Sequence, residues 1–495
     1  MESLIVTAVV LLRKADQQWD FQPTSDCKFE MSMEGGEFAP PEDVVLGRGV
    51  FTLPKTPRPL HLTVRATPTI KRYWPVTARF EYKGKGELVN LGSRADDDIE
   101  IFEPAAFQPA SSIDFPTVFG FGGTFTSMVV YLSRVKDVTD KALQSINKVP
   151  KEGKDWVGGD NWLPAWRSKG RDNVNIISGG MLDGSGNLEF QPEATVAPEV
   201  VSRVFEVGDV EAPRLIAVSW PHLVRTHQFA GPTPFLVYFH PTIGQAASDY
   251  AGHPYPFGWP YLFFIAFRDT NWFGDPLTEY PGPKGLAYQV AAARRSAVLA
   301  VPVNKLGPEI AAILKAEEME SYLREIQAFM FRRNNAYRPP GLGHVALSGF
   351  SAGCGLLMHK FLADNQGHSF VEKILKELYL LDPRMNPSGL AAQVIKWADG
   401  NASERRVRVY ISTPESAYLP VVAQKSFPKL PFVTNSASGL RTLAVTTAAT
   451  WQAAAKSRGA SPKTVSAVGQ FGPMHELHAG TLVVHALKNS GFESA

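Results

Sequence analysis

Alternation of apolar and polar positions marks the start of the chain. His61-Leu62-Thr63-Val64-Arg65 and Thr77-Ala78-Arg79-Phe80-Glu81 set apolar residues between polar neighbours, the period-two pattern of strands with one wet and one buried face. Val6 to Leu12, Cys27 to Met33, Leu60 to Ala66, Val76 to Tyr82 and Ser127 to Leu132 all read as strands, separated by turn signals such as Gly35-Gly36 and Pro40-Pro41. The expectation is a β-rich, sandwich-like domain over residues 1–149, closing on a short helix from Asp140 to Val149. Residues 150–198 read as a linker and hairpin region, with Val174 to Ile177 and Leu188 to Phe190 joined through Asp183-Gly184-Ser185-Gly186.

From about residue 199 the pattern changes. Strands are predicted at Val200 to Val207, Leu215 to Ser219, Phe235 to Phe239, Ala297 to Val303, His344 to Leu347, Leu378 to Leu381, Val407 to Ser412 and Thr464 to Val468. Helices are predicted at Ile310 to Arg332, Ala352 to Asp364, Ser388 to Ala398, Gly439 to Ala455 and His478 to Lys488. Alternating strands and helices imply an α/β domain over 199–495 with a mostly parallel, helix-covered sheet. Phe235-Leu236-Val237-Tyr238-Phe239 is apolar throughout, as a strand covered on both faces should be.

Composition narrows the classes. With 495 residues, two domains or three are expected. A hydrophobic share of 44%, a charged share of 20% and a formal net charge of +2 describe a soluble globular chain without a basic block, so nucleic acid is not an expected partner. Cys27 and Cys354 suggest no disulfide framework. The apolar run from Leu4 to Leu12 is too short to span a membrane and follows an acidic residue rather than a basic one. It reads as a buried strand, and a cytoplasmic location is the expectation, with export by a route lacking a cleaved leader left open. Asp96-Asp97-Asp98 reads as an acidic surface turn.

The candidate chemistry centres on Gly349-Phe350-Ser351-Ala352-Gly353. It follows the apolar Val345-Ala346-Leu347 and precedes a helix-compatible segment, the context of a nucleophile elbow. A serine alcohol needs a base, and the base needs an acid to orient it. The chain supplies candidates in the order serine, acid, histidine. On the elbow, the order of strands and helices around it and the late histidine, residues 199–495 resemble the α/β-hydrolase superfamily of the esterase and lipase type.

The resemblance implies a histidine after the last strand. His475 in Gly472-Pro473-Met474-His475 is preferred, presented by a loop before the last helix, with His478 as the alternative. A zinc reading of this pair fails on spacing, because helical metal-binding histidines stand four apart and these stand three apart. For the acid, Asp382 after Leu378-Tyr379-Leu380-Leu381 is preferred and Glu415, one strand later, is the rival. The oxyanion donors implied are the N–H of Ala352 and, because Pro241 has no N–H, those of Thr242 or Ile243 in the loop after His240. Phe350 and the aromatic stretch containing Tyr250, Trp259 and Trp272 are candidates for a substrate pocket or lid.

These features point to a serine hydrolase cleaving carboxylic esters of small-molecule or lipid-like character through an acyl-enzyme on Ser351, with no cofactor or metal required. An acyltransferase or an amidase or peptidase would use the same residues, and a scaffold protein on a hydrolase fold is the reading from another class. The N-terminal domain is expected either to pack against the catalytic domain or to pair subunits, and the second alternative would give a homo-oligomer.

Overall fold

A computed structural model describes residues 2–13, 19–84, 86–95, 124–138, 174–182, 188–195, 200–208, 214–221, 232–240, 286, 289–290, 293–303, 314–331, 341–383, 387–413, 440–457, 462, 465–466 and 469–494. The expected helix at Asp140 to Val149, the segment from Pro150 to Asn173 and the aromatic stretch from Tyr250 to Tyr280 lie outside these residues. The chain divides into two compact units. The first takes Met1–Asp140 together with Phe205–Pro213 and Tyr322–Gly341.

The first unit is built from β1 (Glu2–Arg13), β2 (Trp19–Pro23), β3 (Cys27–Met33), β4 (Asp43–Val45), β5 (Arg48–Leu53), β6 (Leu60–Pro68), β7 (Val76–Gly84), β8 (Glu87–Ala95), β9 (Thr124–Tyr131) and β10 (Val135–Asp137). One sheet runs β2-β1-β5-β4, with β9 parallel to β1; the other runs β3-β6-β7-β8 and is antiparallel. Leu62, Val64, Ala78 and Phe80 are buried between the polar positions that alternate with them, and they join Leu4, Val6, Ala8 and Val10 of β1 in one apolar cluster. The opposite face of β1 is covered too. Val9 and Leu11 pack with Val129, Tyr131 and Ala328. Burial on both faces explains why Leu4 to Leu11 is nearly all apolar.

The extra segments of this unit follow from the same packing. Phe205 to Val207 pair antiparallel with β10. Glu325 is fully buried and accepts hydrogen bonds from the Tyr131 hydroxyl and, at 3.2 Å, from Ser133 Oγ. The Arg134 guanidinium lies over the Tyr322 ring, 4.4 Å from its centroid. The sequence reading passes over β2, β4, β5, β8 and β10, which are short or rich in polar and turn residues. The β4–β5 connection is a two-residue turn in which Leu46 and Gly47 both take positive φ, 50° and 74°, the backbone of the tight hairpin turn that twists with its strands.

The second unit contains the hairpin β11 (Val174–Leu182) and β12 (Leu188–Thr195), the start of β13 (Val200–Val207), and β14 (Arg214–Pro221), β15 (Thr233–Phe239), β16 (Val298–Val303), β17 (Leu342–Phe350), β18 (Leu375–Leu381), β19 (Arg406–Thr413) and β20 (Arg441–Thr447). Its sheet follows the order β14-β16-β15-β17-β18-β19-β20. The pairs from β16 to β20 are parallel, while β14 runs antiparallel to β16. Helices α1 (Ala316–Phe331), α2 (His359–Asp364) and α3 (Pro387–Gly400) fall between successive strands, and α4 (Ala448–Ser457) and α5 (Phe471–Lys488) follow β20; α1 begins in this unit and ends in the first. Among the described residues no helix is long and apolar enough to cross a membrane.

Three expectations are corrected here. Arg441–Thr447 is the last strand, and helix begins only at Ala448; the β-branched Thr442, Val445, Thr446 and Thr447 prefer the extended state. Val465 and Ser466, expected in a last strand, are helical. The last helix starts at Phe471 rather than His478, so His475 sits on it and not in a preceding loop. Pro473 is tolerated there because the first turn of a helix has no intrahelical partner for the missing N–H.

The starts of β17 and β18 carry a polar knot. Glu377, fully buried, accepts from the Tyr379 hydroxyl at 2.7 Å and from Gly491 N at 2.5 Å, and His344 Nε2 lies 2.7 Å from its Oε1. Arg295 donates to the carbonyls of Phe492 and Lys488. The end of the chain is thereby tied to the sheet.

Candidate functional site

The strand order defines where a site can form. The chain leaves β15 for β16 on one side, then crosses back to β17 on the other side of β15 and continues outward through β18, β19 and β20. Ligands in open α/β sheets bind beyond the carboxyl ends of the strands at such a reversal. Here it lies between β15 and β17, and Ser351 directly follows β17.

The turn at Ser351 is tight. Ser351 has φ of 54°, a left-handed conformation that costs a non-glycine residue about 1–2 kcal/mol. Its N–H donates to Leu381 O at 3.0 Å, and its carbonyl accepts from Cys354 N at 3.1 Å. Both flanking glycines have steric reasons. A Cβ on Gly349 would lie 2.9 Å from Cys354 N, and one on Gly353 would meet Phe239 O and stand 2.7 Å from His240 O. The turn therefore abuts the end of β15. A π-helical turn, Gly353–Met358, leads into α2. Ser351 is half-buried, and Ala352 beside it is buried.

The next strand end brings the acid. Asp382 follows β18 and also has positive φ, 43°, with its N–H donating to Tyr410 O at 2.8 Å. Nδ1 of His475, on α5, lies 2.5 Å from Asp382 Oδ2. Ser412, on β19, donates from its N–H to Oδ1 at 2.9 Å and from its hydroxyl to Oδ2 at 2.8 Å. Burial is the largest influence on Asp382 and opposes its ionisation. The nearby His478 charge, the His475 hydrogen bond and charge, and the Ser412 N–H outweigh it, holding the carboxyl well below the usual carboxylate range. An ionised carboxylate only accepts, so Nδ1 of His475 donates to Asp382; when the imidazole is neutral, Nε2 is then its acceptor nitrogen.

Phe350 is fully buried, its ring 4.4 Å from the His475 ring centroid. Expected to line a substrate pocket, it packs its ring against that of His475. His478 Nε2 is 2.9 Å from Thr446 Oγ1, and its ring meets Trp451 edge-on. Of the two histidines, His475 is the one hydrogen-bonded to Asp382. His240, at the end of β15, is buried. Glu415, Thr242, Ile243, Tyr250, Trp259 and Trp272 lie outside the described residues.

Sequence reasoning missed Ser412 and Thr446. The available signal is a hydroxyl residue near the carboxyl end of each strand beyond the acid's own. Cys354, three residues past Ser351, is free and buried, and burial pushes its thiol far up the scale. It is a packing residue.

No protein-family model and no curated protein matches the chain. Among solved structures it is similar to an esterase of Rhizomucor miehei, at 13% identity and a TM-score of 0.28 over 59% of this chain and 84% of that one. It is also similar to carboxyl esterase 2 of Tuber melanosporum, at 11% and 0.28 over 71% and 97%. A third is the S-formylglutathione hydrolase of Agrobacterium tumefaciens, at 10% and 0.26 over 51% and 88%.

Proposed function

We propose that the protein is a serine hydrolase of α/β-hydrolase type that cleaves carboxylic esters. The observation that carries this reading is the Asp382–His475 hydrogen bond at the strand end next to the strained turn of Ser351. The serine, acid, histidine chain order and the sheet reversal at β15 and β17 support it.

The chemistry follows from the parts. Ser351 Oγ attacks the ester carbonyl carbon while His475 Nε2 takes its proton. The carbonyl oxygen becomes an oxyanion held by the Ala352 N–H and by donors of the loop after His240, for which Thr242 and Ile243 are the proposals. When the tetrahedral species collapses, His475 returns the proton to the departing alkoxide and an alcohol leaves, with the acyl group on Ser351. Water, deprotonated by His475, then attacks the acyl-enzyme; the bond to Ser351 Oγ breaks, His475 returns the proton to Oγ, and the carboxylic acid is released. Asp382, ionised and buried, orients the imidazole and offsets its positive charge.

The test is turnover of a graded panel of p-nitrophenyl esters. Wild-type protein is expected to release p-nitrophenol, and Ser351→Ala to lose this while keeping its thermal unfolding profile. Unchanged turnover in Ser351→Ala would refute the reading.

A further inference from the structure

Asp382 is gripped from two sides. Ser412 donates twice, N–H to Oδ1 and hydroxyl to Oδ2, while His475 Nδ1 shares that same Oδ2. Ser412 is fully buried, so no bulk solvent competes for its hydroxyl. The terminal torsion of an aspartate is broad and roughly two-fold. Two donors from one residue, one to each oxygen, remove that freedom. The backbones of β18 and β19 are already joined here through Asp382 N and Tyr410 O, so Ser412 is set at a fixed distance from the carboxylate.

We propose that Ser412 is a positioning residue for the ester-cleaving reaction, locking the Asp382 carboxylate so that Oδ2 stays on Nδ1 of His475 and fixes the orientation of the imidazole. The proposal rests on the reading of Ser351, His475 and Asp382 given above. It also has an electrostatic side. A hydroxyl on Oδ2 draws charge from the oxygen that faces the imidazole and tempers its hold on the imidazolium. Among the described residues, the other titratable groups coupled to Asp382 are His475 and His478 of α5 and Cys354 of the turn after β17. Ser412 faces it from β19.

Ser412→Ala in the full-length chain removes the hydroxyl and keeps the N–H bond. Its kcat on a p-nitrophenyl ester should fall about tenfold, equivalent to about 1.4 kcal/mol, with KM unchanged. The acid limb of its kcat/KM profile should move to higher pH, because the undiluted carboxylate favours the imidazolium. The low-field proton resonance of His475 Nδ1–H should shift, which requires no turnover. Ser412→Thr, which retains the hydroxyl, should restore all three. Wild-type kcat, acid limb and resonance in Ser412→Ala would overturn the proposal. So would a lower kcat with acid limb and resonance unmoved, which would mark a merely structural role. If wild-type protein shows no Ser351-dependent turnover, the ester-hydrolase reading fails, and the resonance still decides whether Ser412 sets the Asp382–His475 pair.

Discussion

A histidine–carboxylate pair lies at each end of β17 and β18. At the carboxyl ends of β17 and β18 lie Ser351 and the Asp382–His475 pair; at their starts lie His344 and Glu377, 2.7 Å apart. Both carboxylates are buried, and both are held below the usual range even though burial, the largest influence on each, acts the other way. What differs is the frame. Glu377 is ringed by fixed structural donors, Tyr379 and Gly491, which tie down the end of the chain. Asp382 and Ser351 occupy strained backbone, and Ser351 stands at the sheet reversal.

Substitutions should separate the two ends. Asp382→Asn is expected to lower kcat by about 10³–10⁴-fold, since an amide in that place favours the wrong imidazole tautomer, with a smaller change in unfolding temperature. Glu377→Gln should do the reverse. Turnover should stay within about threefold, while denaturant unfolding should show a loss of about 3 kcal/mol, the usual cost of breaking a buried pair. If Glu377→Gln abolished turnover without loss of stability, the contrast between the two ends would collapse.

Gly353→Ala tests the close approach of the turn to β15. The added methyl meets the carbonyls of Phe239 and His240, and overpacking of this kind costs about 1–3 kcal/mol. Chemical denaturation should read that loss, together with reduced turnover.

Acid sharpens the comparison further. Each carboxyl has a folded-state proton affinity below its unfolded value, so its contribution is present above the unfolded pKa, about 4, and is lost as pH falls below it. The stability gap between wild type and Asp382→Asn should therefore narrow by about 2 kcal/mol as pH is lowered from 5 to 2. A gap that stays constant would contradict an ionised Asp382.

The smallest effect concerns the thiols. Burial holds Cys27 up at about 12 and Cys354 higher still, and a protonated thiol is a poor nucleophile. Iodoacetamide should modify neither in the folded protein and both after unfolding, as read by mass spectrometry.

Much of this arrangement was legible in the sequence, for identifiable reasons. The elbow is marked by two glycines whose places a Cβ could not share, and β6 and β7 by strict alternation. The Asp382 position follows from an apolar strand that stops at an acid before proline. Other parts were hidden by local ambiguity. The alanines of Ala444, Ala448, Ala449 and Ala453 to Ala455 extend a helical pattern back over β20, masking the β-branched residues that make it a strand. Gly472-Pro473 reads as a loop, although a first helical turn accepts proline equally well. A hydroxyl near a strand end is a weak signal, and what singles out Ser412 is the register that sets β19 beside β18.

The central claim is that Ser351 is an activated nucleophile. Treating the protein with a fluorophosphonate probe and mapping the adduct by peptide mass spectrometry tests it most directly. The account predicts a single adduct on Ser351, absent from Ser351→Ala and much slowed in Asp382→Asn. No adduct on wild-type protein, or one that persists in Ser351→Ala, would contradict it.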